Sequence, residues 1–201
     1  MVEQLTHMKK LLLFAAFLIL FAVPVLAQQL GDPPLPVPDY NPKGWKEYSF
    51  EKDKVKFRFP VEPKPVETTS GTVTKLPGRI YQRDSFMTFS LMALEAPSGT
   101  DIESKTGLIL KMRDAYLEQI KGGDPKVIKD LEITVDGHSG RFIHVETNDG
   151  MVIRIKFFVA KNRIYYMTTM VKKGETHGDN WANDFEIPAM AFLDSIHLIT
   201  N

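Results

Sequence analysis

The 201-residue chain contains no cysteine. That absence excludes disulfides, thiolate metal sites, a cysteine nucleophile and a lipid-modified N-terminal cysteine. It does not exclude export, because a domain of ~160 residues buries enough apolar surface to stand without covalent staples. A surplus of charge is lacking too, since 25 basic side chains meet 25 acidic ones. A balanced chain has no electrostatic footprint for nucleic acid or anionic lipid, so neither is expected as a partner. GxSxG, HExxH, a phosphate-cradling glycine loop and a dinucleotide fingerprint are all missing. No nucleophile–base pair can be proposed, and neither enzymatic activity nor a cofactor is expected.

What is present begins with an address. "MKKLLLFAAFLILFAVPVLAQQ" (8–29) has two lysines, an apolar stretch from Leu11 to Val23, then Pro24 and Val25-Leu26-Ala27. Small residues at Val25 and Ala27 fit a signal-peptidase site between Ala27 and Gln28. The alternative is an uncleaved anchor, for which 17 residues from Leu11 to Ala27 are at the short limit. Residues 1–27 are therefore read as a cleaved signal peptide, with Met8 a second candidate start. No stable membrane span is expected afterwards. Removing Lys9, Lys10 and Glu3 with that segment changes the balance only from zero to −1. Residues 28–43, "QQLGDPPLPVPDYNPK", carry five prolines and read as an extended spacer. Residues 44–201 are read as a single α+β domain.

Within that domain the pattern is mostly period two. "KVKFRF" (54–59) alternates as a strand with one buried face does, and Pro60, Pro63 and Pro65 end it. The expectation is a strand leaving the sheet at its edge. Residues 72–82 read as two weak strands about an "LPGR" turn. "SFMTFSLMALEA" (85–96) is apolar on both faces, with Met87, Phe89 and Leu91 opposite Phe86, Met92 and Leu94, and suits a central strand. The one long helix follows, from a capping box at Thr100 and Glu103 to Gly122-Gly123. Ile109, Met112 and Tyr116 lie on its apolar stripe. A meander of antiparallel strands joined at "DG", "NDG" and "KNR" comes next. A second helix over about 185–195 brings Ala189, Phe192, Leu193 and Ile196 to one side, and "HLIT" is a last short strand. The expectation is one antiparallel sheet with the helices packed on it.

The order and turns resemble the PsbP-like fold, named for the extrinsic subunit of photosystem II. The residues carrying the resemblance are "YSFEKDKVKFRFPVEPKP" (48–65), "EQIKGG" (118–123), the hairpins at 136–137 and 148–150, and "FLDSIHL" (192–198). The chain is similar also to secreted bacterial proteins of that type. What the resemblance implies is an α/β/α sandwich over about residues 45–200; no functional residue is carried over by it.

Candidate chemistry is sparse. His144 and Glu146 share a strand face, with His138 six residues earlier in the same alternation. Zinc or manganese would want three or four ligands at about 2.0–2.2 Å, and a third is missing. The plainer reading is the polar face of a half-exposed strand. His177, Asp179 and Trp181 stand together in the longest polar loop, where binding residues often gather, against the plainer reading of a solvated loop. Lys54, Lys56 and Arg58 could form a basic strip, but Glu47, Glu51 and Asp53 oppose them, and a solvated strand face guarding an edge is the better reading. Ser139, in "HSG", is placed in a strand-to-strand turn, bonding the backbone. Ile164, Tyr166 and Met170 could line a cavity but read as core. Two classes remain. The first is an exported, non-catalytic, monomeric domain acting by surface contact with a protein partner, an envelope protein among the candidates, or with the cell envelope itself. The second is a periplasmic binder of a small molecule or metal in a cleft between sheet and helix.

Overall fold

The structure, a computed structural model, describes residues 42–69, 75–84, 87–95, 102–173 and 185–199. The signal and spacer readings over residues 1–41 lie outside these, as do the capping threonine Thr100 and the loop residues His177, Asp179 and Trp181.

Among the described residues, ten strands form two antiparallel sheets. The larger has seven, built from β3 (Lys64–Thr69), β4 (Lys75–Asp84), β5 (Met87–Glu95), β6 (Lys126–Val135), β7 (His138–Glu146), β8 (Met151–Ala160) and β9 (Arg163–Lys172). Their spatial order is β3-β4-β5-β9-β8-β7-β6. The smaller sheet sets β2 (Val55–Phe59) between β1 (Lys46–Phe50) and β10 (His197–Leu198). Helix α1 (Ile102–Gln119) continues into a short 3-10 turn over Ile120–Gly123, and helix α2 (Ile187–Asp194) precedes β10. The fold is α+β, mostly sheet, with two helices.

Local chemistry accounts for most of these elements. Asp136 and Gly137 both take positive φ, +46° and +81°, as a two-residue hairpin with primed turn geometry requires. They reverse the chain so tightly that His138, Ser139 and Gly140 already belong to β7, and Ser139 is a strand residue rather than a turn residue. Gly140 is needed for a different reason. A Cβ there would stand 2.6 Å from the Phe157 carbonyl oxygen and 2.7 Å from the Phe158 Cβ, so no larger residue fits beside that aromatic pair. At α2, Pro188 sits in the first turn, where its missing donor is harmless.

Two expectations are corrected. The "LPGR" segment is not a turn, because β4 runs straight through it. Pro77 is tolerated because β4 pairs with β5 only from Gly78 onward, so at Pro77 the strand has one neighbour, β3. Nor is β2 the edge of a single sheet. It is the middle strand of a second sheet, flanked by β1 across residues 46–50 and by β10 through Lys56 and Val55. Lys56 pairs with Glu47 at 3.4 Å, and Arg58 donates to the Pro42 carbonyl at 2.9 Å, so neither guards an open edge. Pro60 and Pro63 do end the strand. They lead the chain to β3 on the other sheet, where Pro65 lies in an outermost strand, the position that tolerates proline.

The seven-stranded sheet separates two cores. On one side Leu108, Ile109, Met112 and Tyr116 of α1 pack on Ile143, Val145, Ile153, Ile155 and Phe157. On the other, Val55, Phe57 and Phe59 of β2 and Phe185, Ala189, Phe192 and Leu193, in α2 and just before it, pack on Phe89, Phe158, Tyr165 and Met167.

Candidate functional site

Strand β8 reads Met-Val-Ile-Arg-Ile-Lys-Phe-Phe-Val-Ala, and its alternation puts Arg154 and Lys156 on the face away from α1. That face is not solvated. Helix α2 lies over it, leaving Arg154 3% exposed and Lys156 9% exposed. Each cation is met from α2 or the residue just before it. Lys156 donates to Asp194 at 2.6 Å, and Arg154 pairs through Nη2 with Glu186. The Arg154 guanidinium also stands 5.0 Å over the Phe185 ring, a cation–π distance.

Cross-strand register extends this into a polar row. Lys129 on β6 faces His144 on β7, His144 faces Arg154 on β8, and Arg154 faces Thr169 on β9. Three buried atoms of that row have no hydrogen-bond partner: His144 Nε2, Arg154 Nη1 and Thr169 Oγ1. Burial lowers the His144 pKa, the Arg154 and Lys129 charges push the same way, and Glu146 and Glu186 oppose them. The imidazole is therefore held neutral. Burial likewise lowers the Arg154 pKa, with Glu186 and Glu146 opposing. Beside the row, Lys173 donates to Glu146 at 2.8 Å, and that bond holds the Glu146 carboxyl below its usual range.

The row clarifies what the sequence pattern could suggest. His144 Nε2 and Glu146 approach to 3.9 Å, as their shared face implies. His138 lies at the far end of the same strand, roughly 20 Å away at ~3.3 Å per residue, and is not part of the group. His144 has a side chain 12% exposed, so it belongs to a buried polar row rather than to a half-exposed strand face. Its immediate neighbour is a guanidinium, which repels a cation. Among the described residues no three His, Asp or Glu side chains converge as metal ligands do. Pattern reading missed Arg154, Thr169 and Glu186. The available signal was two basic residues, two apart, in the middle of a ten-residue strand that is otherwise almost wholly apolar.

Two further features border the sheet. A cleft of about 240 Å³ opens between α1 and the β6–β7 hairpin, lined by Thr106, Ile109, Thr134, Ser139 and Arg141 among others. Arg141 is already engaged there, donating to Asp130 at 2.5 Å, and Asp130 also meets Arg113. Strand β6 is outermost in the seven-stranded sheet, pairs only with β7 among the described residues, and exposes Val127, Ile128 and Leu131.

The solution structure of cyanobacterial PsbP (CyanoP) from Synechocystis sp. PCC 6803 superposes with a TM-score of 0.56 at 13% identity, covering 84% of this chain and 98% of that one. The fold is PsbP-like. At that identity the likeness establishes the architecture of the PsbP-like domain and nothing of its chemistry. A crystal structure from Bacteroides thetaiotaomicron matches at TM-score 0.42 and 10% identity, over 74% of this chain and 46% of that one. A Pseudomonas aeruginosa protein of unknown function matches at 0.32 and 12%, over 65% and 85%. No family model matches the sequence, and no curated protein does. Among the described residues no helix is long and apolar enough to cross a membrane.

Proposed function

We propose that the chain is an exported, non-catalytic PsbP-like domain that works by surface contact with a protein of the cell envelope, and that β6 makes the contact. The observation carrying this reading is β6 itself. It is ten residues long, outermost in its sheet, and exposes Val127, Ile128 and Leu131. Beyond the register shift between Val127 and Lys129, such an edge offers unpaired backbone donors and acceptors to an added strand. The two cores fill the middle of the sheet on both sides, and β6 is an edge at which an extended segment of a partner can add. Export rests on the Lys-apolar-Val-Leu-Ala pattern before Gln28, and the proline-rich residues 28–43 would hold the domain off its surroundings. Periplasm or extracellular space is the implied location, with the unbound domain a monomer.

The test is affinity capture from the native envelope fraction, with the bound protein identified. Hydrogen exchange then follows the complex. In complex, the amides of β6 should slow, and Leu131→Arg should abolish capture while Lys52→Ala, on the distant β1–β2 turn, leaves it intact. Protection elsewhere, with capture untouched by Leu131→Arg, overturns the β6 assignment. N-terminal sequencing should begin at Gln28; an intact Met8 terminus in a membrane fraction overturns export. The cleft beside Ser139 and Arg141 favours a second reading, a small-molecule binder. Its 240 Å³ falls short of the ~300–1,000 Å³ of ordinary ligand pockets, which is why it ranks second.

A further inference from the structure

The polar row under α2 is costly. A buried donor or acceptor without a partner costs roughly 1–3 kcal/mol, and three such atoms lie side by side on neighbouring strands. Apolar residues of similar size would serve stability better, as Val152, Phe158 and Ala160 do on the same face of β8. The three atoms also share a character. Arg154 Nη1 can only donate, the Thr169 hydroxyl can donate, and a neutral imidazole with its proton on Nε2 donates as well. Three donors in register on neighbouring strands, with the guanidinium in the middle, are complementary to one group with two acceptor oxygens. The charges agree, since Lys129, Arg154 and Lys173 outnumber Glu146 and Glu186 by one.

Glu186 shows what kind of group suits the place. Its carboxylate takes the Nη2 side of Arg154, while its own side chain is 42% exposed, at the rim of the row. It is anchored only at the start of an eight-residue helix. Turning it outward into water would free Nη2 and leave without a protein partner both amino groups of Arg154, the fork that binds a carboxylate through two parallel bonds. Around the fork the surface is apolar. Phe185 lies against the guanidinium, and Phe89 is the cross-strand neighbour of Thr169. We propose that His144, Arg154 and Thr169 form a binding site for the carboxylate of a small organic acid with an apolar body, and that Glu186 is the internal carboxylate this ligand displaces. One ligand oxygen takes the two amino groups' near side with Thr169, and the other takes the far side with His144. A polyanion is disfavoured, because Glu146 and Phe185 flank the place where further charge would stand.

The inference stands apart from the β6 edge and is tested separately. Sodium acetate and sodium propionate are titrated into the ¹⁵N-labelled chain at pH 7 and constant ionic strength, with sodium chloride and inorganic phosphate as comparison probes. The signals followed are the His144 imidazole nitrogens and the Arg154 Nε. Saturable shifts are expected with acetate and propionate and not with chloride or phosphate. Glu186→Gln, a rim substitution that leaves the core intact, weakens the competitor and should tighten binding about tenfold. Arg154→Lys should abolish it, because an ammonium cannot form the two-pronged bond. Shifts that follow ionic strength alone overturn the site. So does an unchanged affinity in Glu186→Gln, which remains informative even if Arg154→Lys fails to fold. Saturation by phosphate with none by acetate would show the ligand class to be wrong. A crystal grown in acetate with only water between the three atoms would overturn the proposal as well.

Discussion

The two faces of the seven-stranded sheet are filled by opposite means. The α1 face is mainly aliphatic, closed by a single helix that follows β5 in the chain. The α2 face is aromatic, and what closes it comes from the two ends of the domain, residues 45–59 and 185–198. Phe192 meets Phe57, Phe59 and Phe89 edge-on, at 6.0, 4.9 and 5.5 Å between centroids. Ser195 accepts from the Arg58 amide, and Tyr165 donates to the Asp53 carbonyl, tying the small sheet down. Buried polar atoms without partners are unevenly shared. Among the described residues, the α2 face holds the row of His144, Arg154 and Thr169, while on the α1 side only the Tyr116 hydroxyl is in that position. The face assembled from distant segments is the one that carries unsatisfied chemistry. Local packing serves stability on one side, and on the other the fill leaves a polar row with one partly exposed carboxylate, Glu186, at its rim.

If that contrast is right, the largest effect comes from the hinge of the aromatic face. Phe192→Ala should lower stability by about 3–5 kcal/mol, because one ring joins both chain ends to the sheet. Thermal and denaturant melts measure it. Met112→Ala on the helix face should cost about 2–4 kcal/mol, and Glu118→Ala, on the exposed flank of the same helix, only a few tenths. Equal losses at Met112 and Glu118 would mean that α1 does not seal its face.

The third effect has the opposite sign. Thr169→Val keeps the shape of a wholly buried side chain and removes a hydroxyl without a partner. It should therefore raise stability by ~1 kcal/mol, the lower end of the cost of an unmade buried bond. Functional groups are often held at the expense of stability in this way. A destabilised Thr169→Val would show instead that the hydroxyl is hydrogen-bonded in solution, and would weaken the ligand reading.

Legibility in the sequence follows the same division. The α1 face could be read locally, because Ile109, Met112 and Tyr116 recur at helical spacing and the meander's turns announce themselves at Asp136-Gly137 and Asn148-Asp149-Gly150. The α2 face could not. Alternation in β8 separates Arg154 and Lys156 from Ile153 and Ile155, but period two says only that two faces differ, not which is covered. Arg154 and Lys156 are buried because α2 returns across them and supplies Glu186 and Asp194 as partners. Likewise "VKFRFP" announces a strand and its end, while its neighbour β10 lies some 140 residues downstream and leaves no local mark. His144 and Glu146 could be singled out by spacing. The guanidinium that faces His144 comes from the next strand.

The smallest effect is a pH dependence confined to the aromatic face, where the largely covered His144 faces Arg154 and Lys129. Its pKa is lowered in the folded chain, so between that value and the unfolded value near 6.5 the unfolded chain binds the proton and the folded chain does not. Stability is therefore full above about pH 6.5–7 and declines as pH falls through that window. Acidic groups act in the same direction but lower on the scale. Hydrogen bonding to Arg141 holds the Asp130 carboxyl below its ordinary range, and the stability it contributes is lost only as that carboxylate protonates. The two are separable by substitution. His144→Gln should flatten the fall in melting temperature between pH 7 and 5 and leave the steeper fall below pH 4 in place, whereas Asp130→Asn should do the reverse. If His144→Gln leaves the upper limb unchanged, the imidazole is not desolvated in solution, and the two faces of the sheet are less different than their packing implies.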